Sequence, residues 1–376
     1  MTAWNHWVPQ WYLRRWSTDG NTIQVYETLV PHVRYPVWEA RAIRSQAAAN
    51  HLYTSSRDAE KPDAFETYLK NEIEEPALDA LDKAARGAPL STEEHDRITR
   101  YAVALDQRTP PAYFEQLQRW NKDMPRIIRS TLDHGVAELE RRARSGVKTP
   151  EPPPQKERFP VTVKIRRAKE SGMAEVGLSL TLGRELWIWS MRHALEHTAP
   201  KIIANGGIKW SVSEPRAGRM WFTSDHPLLR VNYHGDGKYD FGGGWGFKGS
   251  EIALPISPSA LLYAKVGEPF PSRFQMDRGP ALTLQWLLAR RAYHAIYSTE
   301  PSLLVEHLRP RLVDREQFEN HRDQLREWHD NNMKAEQEDG TNVDDIIAQE
   351  PPNPARPTLG DDVLLIPVHS AERPSA

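Results

Sequence analysis

The chain has 376 residues, with 49 basic against 51 acidic side chains and no cysteine. The absence of cysteine excludes disulfides, cysteine nucleophiles and thiolate zinc sites. The balanced charge argues against a protein whose whole surface binds nucleic acid through phosphate neutralisation. Neither a secretory signal nor a run of about eighteen apolar residues is visible, so we expect a cytoplasmic protein that does not enter a membrane.

The opening segment, WNHWVPQWYLRRW, is rich in aromatic side chains. Pro9 suits the first position of a helix, which predicts a short helix over residues 10–16. Gln10 and Arg14 would then share one face, with His6 in an extended stretch just before the helix. Two interpretations stay open. Either the aromatic residues anchor the N-terminus while the polar ones satisfy buried backbone groups, or the segment is the first part of a site.

The strand pattern TIQVYET is followed by three predicted helices, over residues 62–87, 91–110 and 112–146. The first helix has an apolar stripe, in which Glu66 lies near the middle and Glu74 at the edge. A carboxylate in that position must be paired or liganded, because isolated burial is costly. A salt bridge to an arginine and a catalytic role both fit, and Glu72 also lies close to the stripe.

The second helix begins with Ser91 and Glu94 in capping-box spacing and ends with Gln107 and Arg108. A basic side chain at this end of a helix is favoured by the helix dipole. It would equally hold a phosphate or carboxylate through two parallel hydrogen bonds. The end of the helix is therefore a candidate anion-binding position.

The Pro-rich segment 147–158 is typical of an exposed loop between two halves of a chain. Beyond it we predict a helix over residues 184–204 and then a hairpin, in which GIKWSVSE and GRMWFTSD flank PRAG. The segment WFTSDHPLL places Asp225 at the end of a strand, where it could line a cleft, bind a metal or act in acid–base chemistry. Ordinary turn chemistry is the alternative for the same residue.

Helices in the first half and strands in the second predict an α+β fold, with a helical N-terminal half followed by a mainly antiparallel sheet region and a late packing helix. We expect one domain over residues 1–300 and a charged helical extension over 301–332. The tail over 333–376 is acidic, Pro-rich and expected to be partly disordered, although DVLLIPV within it is a candidate late strand.

Five short motifs occur together and in one order: HWVPQWYLRRW, YAVALDQRTP, WFTSDHPLL, EIALPISPSALLYA and LLARRAYHAIYS. In this combination, over about residues 4–300, the chain resembles a widespread, mainly bacterial family called domain of unknown function 4238. It departs from the family pattern at LQWLLARRA, where the family often has Asn. The resemblance implies no activity. It does imply a set of polar motif residues: His6, Gln10, Arg14, Glu66 or Glu74, Gln107, Arg108 and Asp225.

Two functional hypotheses follow. In the first, the protein is a hydrolase of phosphodiester or nucleotide substrates, because histidine, carboxylates and arginine together suit that chemistry. Its catalytic residues would be His6, Glu66, Glu74 and Asp225, and its substrate-binding residues Gln10, Arg14, Gln107 and Arg108. The cofactor is unknown, with a divalent metal as one candidate, and the ligand would be a phosphate-containing molecule or nucleic acid. In the second hypothesis the protein is a non-catalytic binding or interaction protein, and the same residues form a buried hydrogen-bond network.

Overall fold

The structure is a computed structural model that describes residues 4–55, 61–147, 161–167, 174–180, 182–206, 208–215, 219–337 and 364–365. Helices dominate the first half of this chain and mainly antiparallel sheets the second, with a late helix packed on the sheets. The predicted α+β class is confirmed.

The helices fall close to the predicted segments. They are α1 (Gln10–Leu13), α2 (Ala64–Tyr68), α3 (Glu75–Ala85), α4 (Thr92–Gln107), α5 (Pro110–Ser145), α6 (Arg184–His193), α7 (Ala199–Ala204), α8 (Arg278–Arg291), α9 (Leu303–Leu308) and α10 (Arg315–Gln337). A tight 3₁₀ turn over Arg14–Trp16 continues α1. None of the described helices combines the length and the apolar character that crossing a bilayer requires.

The strands are short. They are β1 (Trp4–His6), β2 (Thr22–Glu27), β3 (Leu29–Val30), β4 (Glu39–Ala42), β5 (Ala48–Asn50), β6 (Val161–Arg167), β7 (Ala174–Leu180), β8 (Ser211–Glu214), β9 (Thr223–Ser224), β10 (Leu229–Tyr233), β11 (Lys238–Asp240), β12 (Glu251–Ser257), β13 (Ala260–Lys265), β14 (Arg273–Gln275), β15 (Ala295–Ser298), β16 (Leu312–Val313) and β17 (Leu364–Leu365).

Two sheets carry most of the strands. The larger has the order β14-β8-β13-β12-β10-β11-β17, and the other has the order β4-β2-β15-β9. Smaller pairs join β1 to β5, β3 to β16 and β6 to β7. Only the β8–β14 and β3–β16 pairs among these are parallel, so the sheet region is mainly antiparallel as expected.

Two of the helical segments contain a wider, π-helical turn just before a proline. One turn covers Leu69–Glu74 ahead of Pro76, and the other covers Ala194–Thr198 ahead of Pro200. A proline inside a helix has no N–H to donate, and its ring crowds the carbonyl four residues earlier. The wider turn relieves that conflict without ending the helix.

The N-terminal segment ties the helices to both sheets. The Tyr12 hydroxyl donates to the Pro255 carbonyl oxygen at 2.5 Å and lies 2.8 Å from the Thr223 hydroxyl, while the Trp16 indole donates to the Trp221 carbonyl oxygen at 2.9 Å. Tyr12 and Trp16 are almost fully buried. The aromatic segment is therefore an anchor in the structure, as one of its two interpretations held.

Several local predictions are confirmed in detail. Phe65, Leu69 and Ile73 form the buried stripe of the first helical segment. Ser91 and Glu94 close the capping box at the start of α4, each bonding to the other's backbone N–H. Amphipathic spacing and capping chemistry act within a few residues, so a single sequence reveals them.

The hairpin predicted around PRAG is wrong. Its first strand, β8, pairs with β13 and β14, whereas its second, β9, pairs with β15 in the other sheet. The apolar side chains of the two segments enter different clusters, with Trp210 and Val212 in the main core and Trp221 in the second one. Burial in separate cores outweighs the local turn signal.

The single charged helix expected near the end of the domain is broken into α9, the short strand β16 and α10. Trp328 of α10 is 5% exposed within the main core, and Asn332 accepts a hydrogen bond from the Arg184 backbone N–H at 2.7 Å. This region thus packs on the rest of the domain. The loop 147–158 lies outside the described residues except for Val147, and so does the tail beyond Gln337 except for β17.

Candidate functional site

A buried ion pair joins the end of α4 to the N-terminal segment and to the first helical segment. The Arg108 guanidinium donates to Glu74 Oε1 at 2.5 Å and to the His6 carbonyl oxygen at 2.6 Å, and the side chain is 1% exposed. The Tyr53 ring lies 5.7 Å from the guanidinium carbon, and its hydroxyl donates to the Arg108 carbonyl oxygen at 2.7 Å. Burial alone would lower the pKa of Arg108, but the neighbouring carboxylates outweigh burial and raise it. Arg108 is thus a permanent buried cation.

Glu74 uses both carboxylate oxygens. Oε1 accepts from Arg108, and Oε2 accepts from the Trp11 indole N–H at 3.0 Å. Breaking such a buried pair on one side leaves an uncompensated charge, which is costly. The pair therefore holds β1, α1 and α4 in fixed relative positions.

His6 flanks this pair as a half-buried side chain on β1. Its Nε2 lies 3.1 Å from the Arg44 carbonyl oxygen, which can only accept a hydrogen bond. The neutral ring must therefore carry its proton on Nε2, and Nδ1 is left with a free lone pair. Burial lowers the pKa of His6, and the bond to Arg44 only partly offsets this.

Glu66 is the carboxyl group beside this pair that has no hydrogen-bond partner. Its Oε2 is buried without a partner among the described residues, and its Oε1, which is not buried, makes no hydrogen bond to them either. Burial raises the pKa of Glu66 to about 7, against the attraction of Arg108, and Glu74 adds to the rise. At neutral pH this carboxyl is poised between its two protonation states.

The π-helical turn explains why the two glutamates act on the same arginine. In a regular α-helix, residues eight apart point about 80° away from each other. The wider winding of the turn over Leu69–Glu74 brings Glu74 closer to the direction of Glu66. Such π-helical turns are frequent at functional sites. We call His6, Glu66, Glu74 and Arg108 the glutamate cluster.

Asp225 contacts a different part of the molecule. Its carboxylate accepts hydrogen bonds from the backbone N–H groups of Tyr293, His294 and Ala295 at 2.8, 2.7 and 3.1 Å. Burial raises the pKa of Asp225 to about 6 in spite of these bonds. Among the described residues no hydrogen bond or ion pair joins this carboxylate to the glutamate cluster. The connection runs through Trp7, the neighbour of His6, whose indole N–H donates to the Asp225 carbonyl oxygen at 2.9 Å.

Arg14 is another predicted substrate-binding residue, and that role stays a prediction. Arg14 is exposed, because the helix tightens to a 3₁₀ turn at that residue and no longer follows the α-helical spacing. The neighbouring Arg15 instead forms an ion pair with Asp82 and donates to the Ile256 carbonyl oxygen at 3.3 Å.

The two predicted glutamines are half-buried, and neither amide group bonds to another residue that the structure describes. Gln107 contributes its backbone, whose carbonyl oxygen accepts from the Trp187 indole at 3.0 Å. Gln10 is the first residue of α1, which follows the strand β1 that carries His6. Their substrate-binding role stays a prediction.

Searches against known proteins give one informative match. A family described as "Protein of unknown function (DUF4238)" matches residues 5–315. The chain belongs to the DUF4238 family. No curated protein and no solved structure matches the chain. Membership confirms the resemblance read from the five motifs, and it places the whole glutamate cluster inside the DUF4238 domain.

Two contributors to this DUF4238 site were missed at the sequence level. Trp11 and Tyr53 hold Glu74 and Arg108 respectively, through contacts with residues 63 and 55 positions away in the chain. Periodicity reports only neighbours on one element, so neither contact has a local signal. The only available hint was that Trp11 stands inside the first motif.

The predicted metal role also has no ligand set behind it so far. Within the described ranges, no group of three or more His, Asp or Glu side chains is placed to hold a metal ion.

Proposed function

We propose that the protein is a hydrolase that cleaves a phosphate ester bond in a nucleotide or phosphodiester, with the glutamate cluster as its acid–base centre. One observation carries the proposal: the Glu66 carboxyl has no partner, yet it lies beside a closed ion pair that could have satisfied it. Unsatisfied buried polar groups are uncommon in proteins, and active sites are one place where they occur.

Glu66 would act as the general acid. A carboxyl whose pKa is near 7 is protonated in a large fraction of molecules at neutral pH, and it still gives up its proton readily. Oε1 would be the atom that protonates the leaving oxygen of the substrate.

His6 would act as the general base. Its Nδ1 carries the free lone pair because Nε2 is held by the Arg44 carbonyl oxygen. The lowered pKa keeps the ring neutral at pH 7, which is the form that accepts a proton. As the water oxygen bonds to phosphorus, His6 takes the water proton. The ester P–O bond breaks as Glu66 protonates the leaving oxygen.

The nucleotide part of the proposal is supported by Trp4. Trp4 and His6 are two residues apart on β1, so they share one face of the strand, and both ring nitrogens bond to the Arg44 carbonyl oxygen. Trp4 is 43% exposed. An exposed indole beside the catalytic imidazole is suited to stack on a base.

Arg108 and Glu74 have a positioning role in this proposal. Arg108 is too deeply buried to contact a substrate directly. Its positive charge favours loss of the Glu66 proton, but burial of Glu66 favours retention more strongly. It also holds the backbone of His6.

We also propose that the protein is bacterial and works in the cytoplasm.

The test is hydrolysis of a panel of nucleotides, RNA and DNA, with and without Mg²⁺ or Mn²⁺. We expect at least one member to be cleaved by wild type, and His6→Ala and Glu66→Gln each to lower the rate by about 10²-fold or more. Glu72→Gln on the same helix and His134→Ala are matched controls at exposed positions. The proposal would be overturned if His6→Ala and Glu66→Gln hydrolysed the substrate as fast as the two control variants do.

A specific observation also favours the second hypothesis, a non-catalytic protein with a structural network. Arg108 and Asp225 are almost fully buried, and their side chains bond to other groups of the protein. On this hypothesis Glu66→Gln would leave all panel activities at background and would only change stability. Both hypotheses require Arg108 and Asp225 for folding, so the stability of variants at these residues does not distinguish them. The hydrolysis measurements do.

A further inference from the structure

A cleft of about 360 Å³ opens on the side of the four-stranded sheet. We call it the imidazole cleft. It is lined by β2 and β4, by residues 45–48, by the end of the Asp225 turn, by β15 and by the N-terminal half of α10. None of His6, Glu66, Glu74 and Arg108 lines it, so it is separate from the glutamate cluster.

Two imidazoles in this cleft make no hydrogen bond to any residue that the structure describes. His294 Nε2 and His321 Nδ1 are buried without partners, and the ring centroids are 5.0 Å apart in an edge-to-face arrangement. The Oε2 atom of Glu27, which also lines the cleft, is likewise buried without a partner among the described residues. Three such atoms around one cavity are unusual, because buried polar groups nearly always find a partner.

The charges in the cleft are already compensated within the protein. Glu27 pairs with Arg41, and the Asp225 carboxylate is held by backbone N–H groups. Burial lowers the pKa of His294 to about 3, and burial also lowers the pKa of His321. Both rings are therefore neutral at pH 7. Arg322 also lines the cleft, but its side chain is 48% exposed and pairs with Asp323, so the buried interior offers no uncompensated charge to a charged ligand.

The walls are aromatic as well as polar. Trp7, Tyr297 and Phe318 line the cleft together with the two imidazole rings. Aromatic walls favour a flat ring that can stack against them. The volume lies near the lower end of typical small-molecule pockets, about 300–1,000 Å³, so the cleft suits one ring system and not a polymer.

We propose that the imidazole cleft binds a neutral, planar nitrogen heterocycle of purine size. Such a ring presents N–H donors and ring-nitrogen acceptors at its edge, which match an imidazole pair and a carboxylate oxygen. Its faces stack on Phe318 and Tyr297. Asp225 serves this site as a positioning residue, because its carboxylate holds the backbone segment that carries His294.

The proposal is tested by titrating the full-length protein with adenine and with hypoxanthine in a calorimeter. The ¹⁵N signals of the histidine rings are followed by NMR in parallel. Benzoate and benzylamine are charged control ligands of similar shape. We expect micromolar binding of a purine, a shift in the ring signals of His294 and His321, and much weaker binding of both control ligands.

Variants locate the binding. His321→Phe should weaken purine binding by about tenfold or more, since it removes one hydrogen bond between the protein and the ring. The exposed His307→Phe is the matched control. Circular dichroism shows whether each variant is folded, and the NMR shift of His294 in wild type stands independently of the variants.

Three results would overturn the proposal: no purine binding up to millimolar concentration, equal binding of the charged control ligands, or unchanged affinity in folded His321→Phe. His6→Ala should leave purine binding intact. Failure of the hydrolase proposal would therefore be seen separately from failure of this one.

Discussion

Two buried carboxyl groups of this protein have opposite surroundings. Asp225 accepts three backbone N–H bonds, whereas Glu66 accepts none from the described residues. Burial raises the pKa of both groups. Their chemical roles are nevertheless different, because a carboxylate saturated by amides holds a loop, and an unsatisfied one is available for proton transfer.

Replacing Asp225 should therefore act on stability. Asp225→Ala leaves three buried or partly buried N–H groups without an acceptor, and each such group costs about 1–3 kcal/mol. We expect a loss of at least about 3 kcal/mol in the free energy of unfolding, measured by urea denaturation. Asp133→Ala, at an exposed position of α5, should change stability by no more than about 0.5 kcal/mol. A similarly small change for Asp225→Ala would contradict this role.

Replacing Glu66 should act on the pH dependence of stability. Its pKa is raised from 4.5 to about 7 in the folded protein, so the folded state retains this proton while the unfolded state has lost it. The contribution to stability is thus present below pH 4.5 and is lost as the pH rises towards 8. The loss is on the order of 3 kcal/mol.

Glu66→Gln cannot titrate, so its unfolding free energy relative to wild type should increase by that order of magnitude between pH 4.5 and 8. Urea denaturation at several pH values measures this difference, in which the other titrating groups cancel. A difference that does not vary with pH would show that Glu66 has an ordinary pKa.

At the scale of elements, the N-terminal segment connects the helices with the sheets. Tyr12 links α1 to both β9 and β12 through its single hydroxyl group. Tyr12→Phe leaves the Pro255 carbonyl oxygen without this donor, which should cost about 1–3 kcal/mol of unfolding free energy. The control is Tyr233→Phe, whose side chain is 48% exposed. Equal thermal melting curves for the two variants would mean that the hydroxyl does not carry the link.

Element-scale features were predictable where their cause is local. The Ser91 cap and the Phe65 stripe depend on neighbours three or four residues away, and both are confirmed. The PRAG hairpin failed because strand pairing is decided by distant partners in two sheets. The exposure of Arg14 could not be predicted from α-helical spacing, because the winding changes from α to 3₁₀ at this residue, between the buried Tyr12 and Trp16.

At the scale of the whole molecule, the site forms from three separated segments. His6, the two glutamates and Arg108 meet although they lie up to 102 residues apart. Their residue types and motif positions were readable in the sequence. Their convergence was not, because it depends on how α4 packs on the first helical segment. The backbone N–H groups that bind the Asp225 carboxylate also lie about seventy residues further along the chain, so the sequence could not reveal these contacts either.

The central claim is that Glu66 and His6 exchange protons with a substrate, and a pH–rate profile tests it most directly. The measurement is kcat/KM for the panel substrate that wild type hydrolyses, between pH 5 and 9, for wild type, Glu66→Gln and His6→Ala. We predict a bell-shaped profile for wild type. Its alkaline limb should fall near pH 7, where Glu66 loses its proton, and its acid limb should fall below the ordinary histidine value, where His6 gains one.

Glu66→Gln should abolish the alkaline limb, and His6→Ala should abolish the acid limb, each with a large loss of rate. If both variants kept the wild-type profile and rate, or if no panel substrate were hydrolysed at any pH, the account of the glutamate cluster as an acid–base centre would be contradicted.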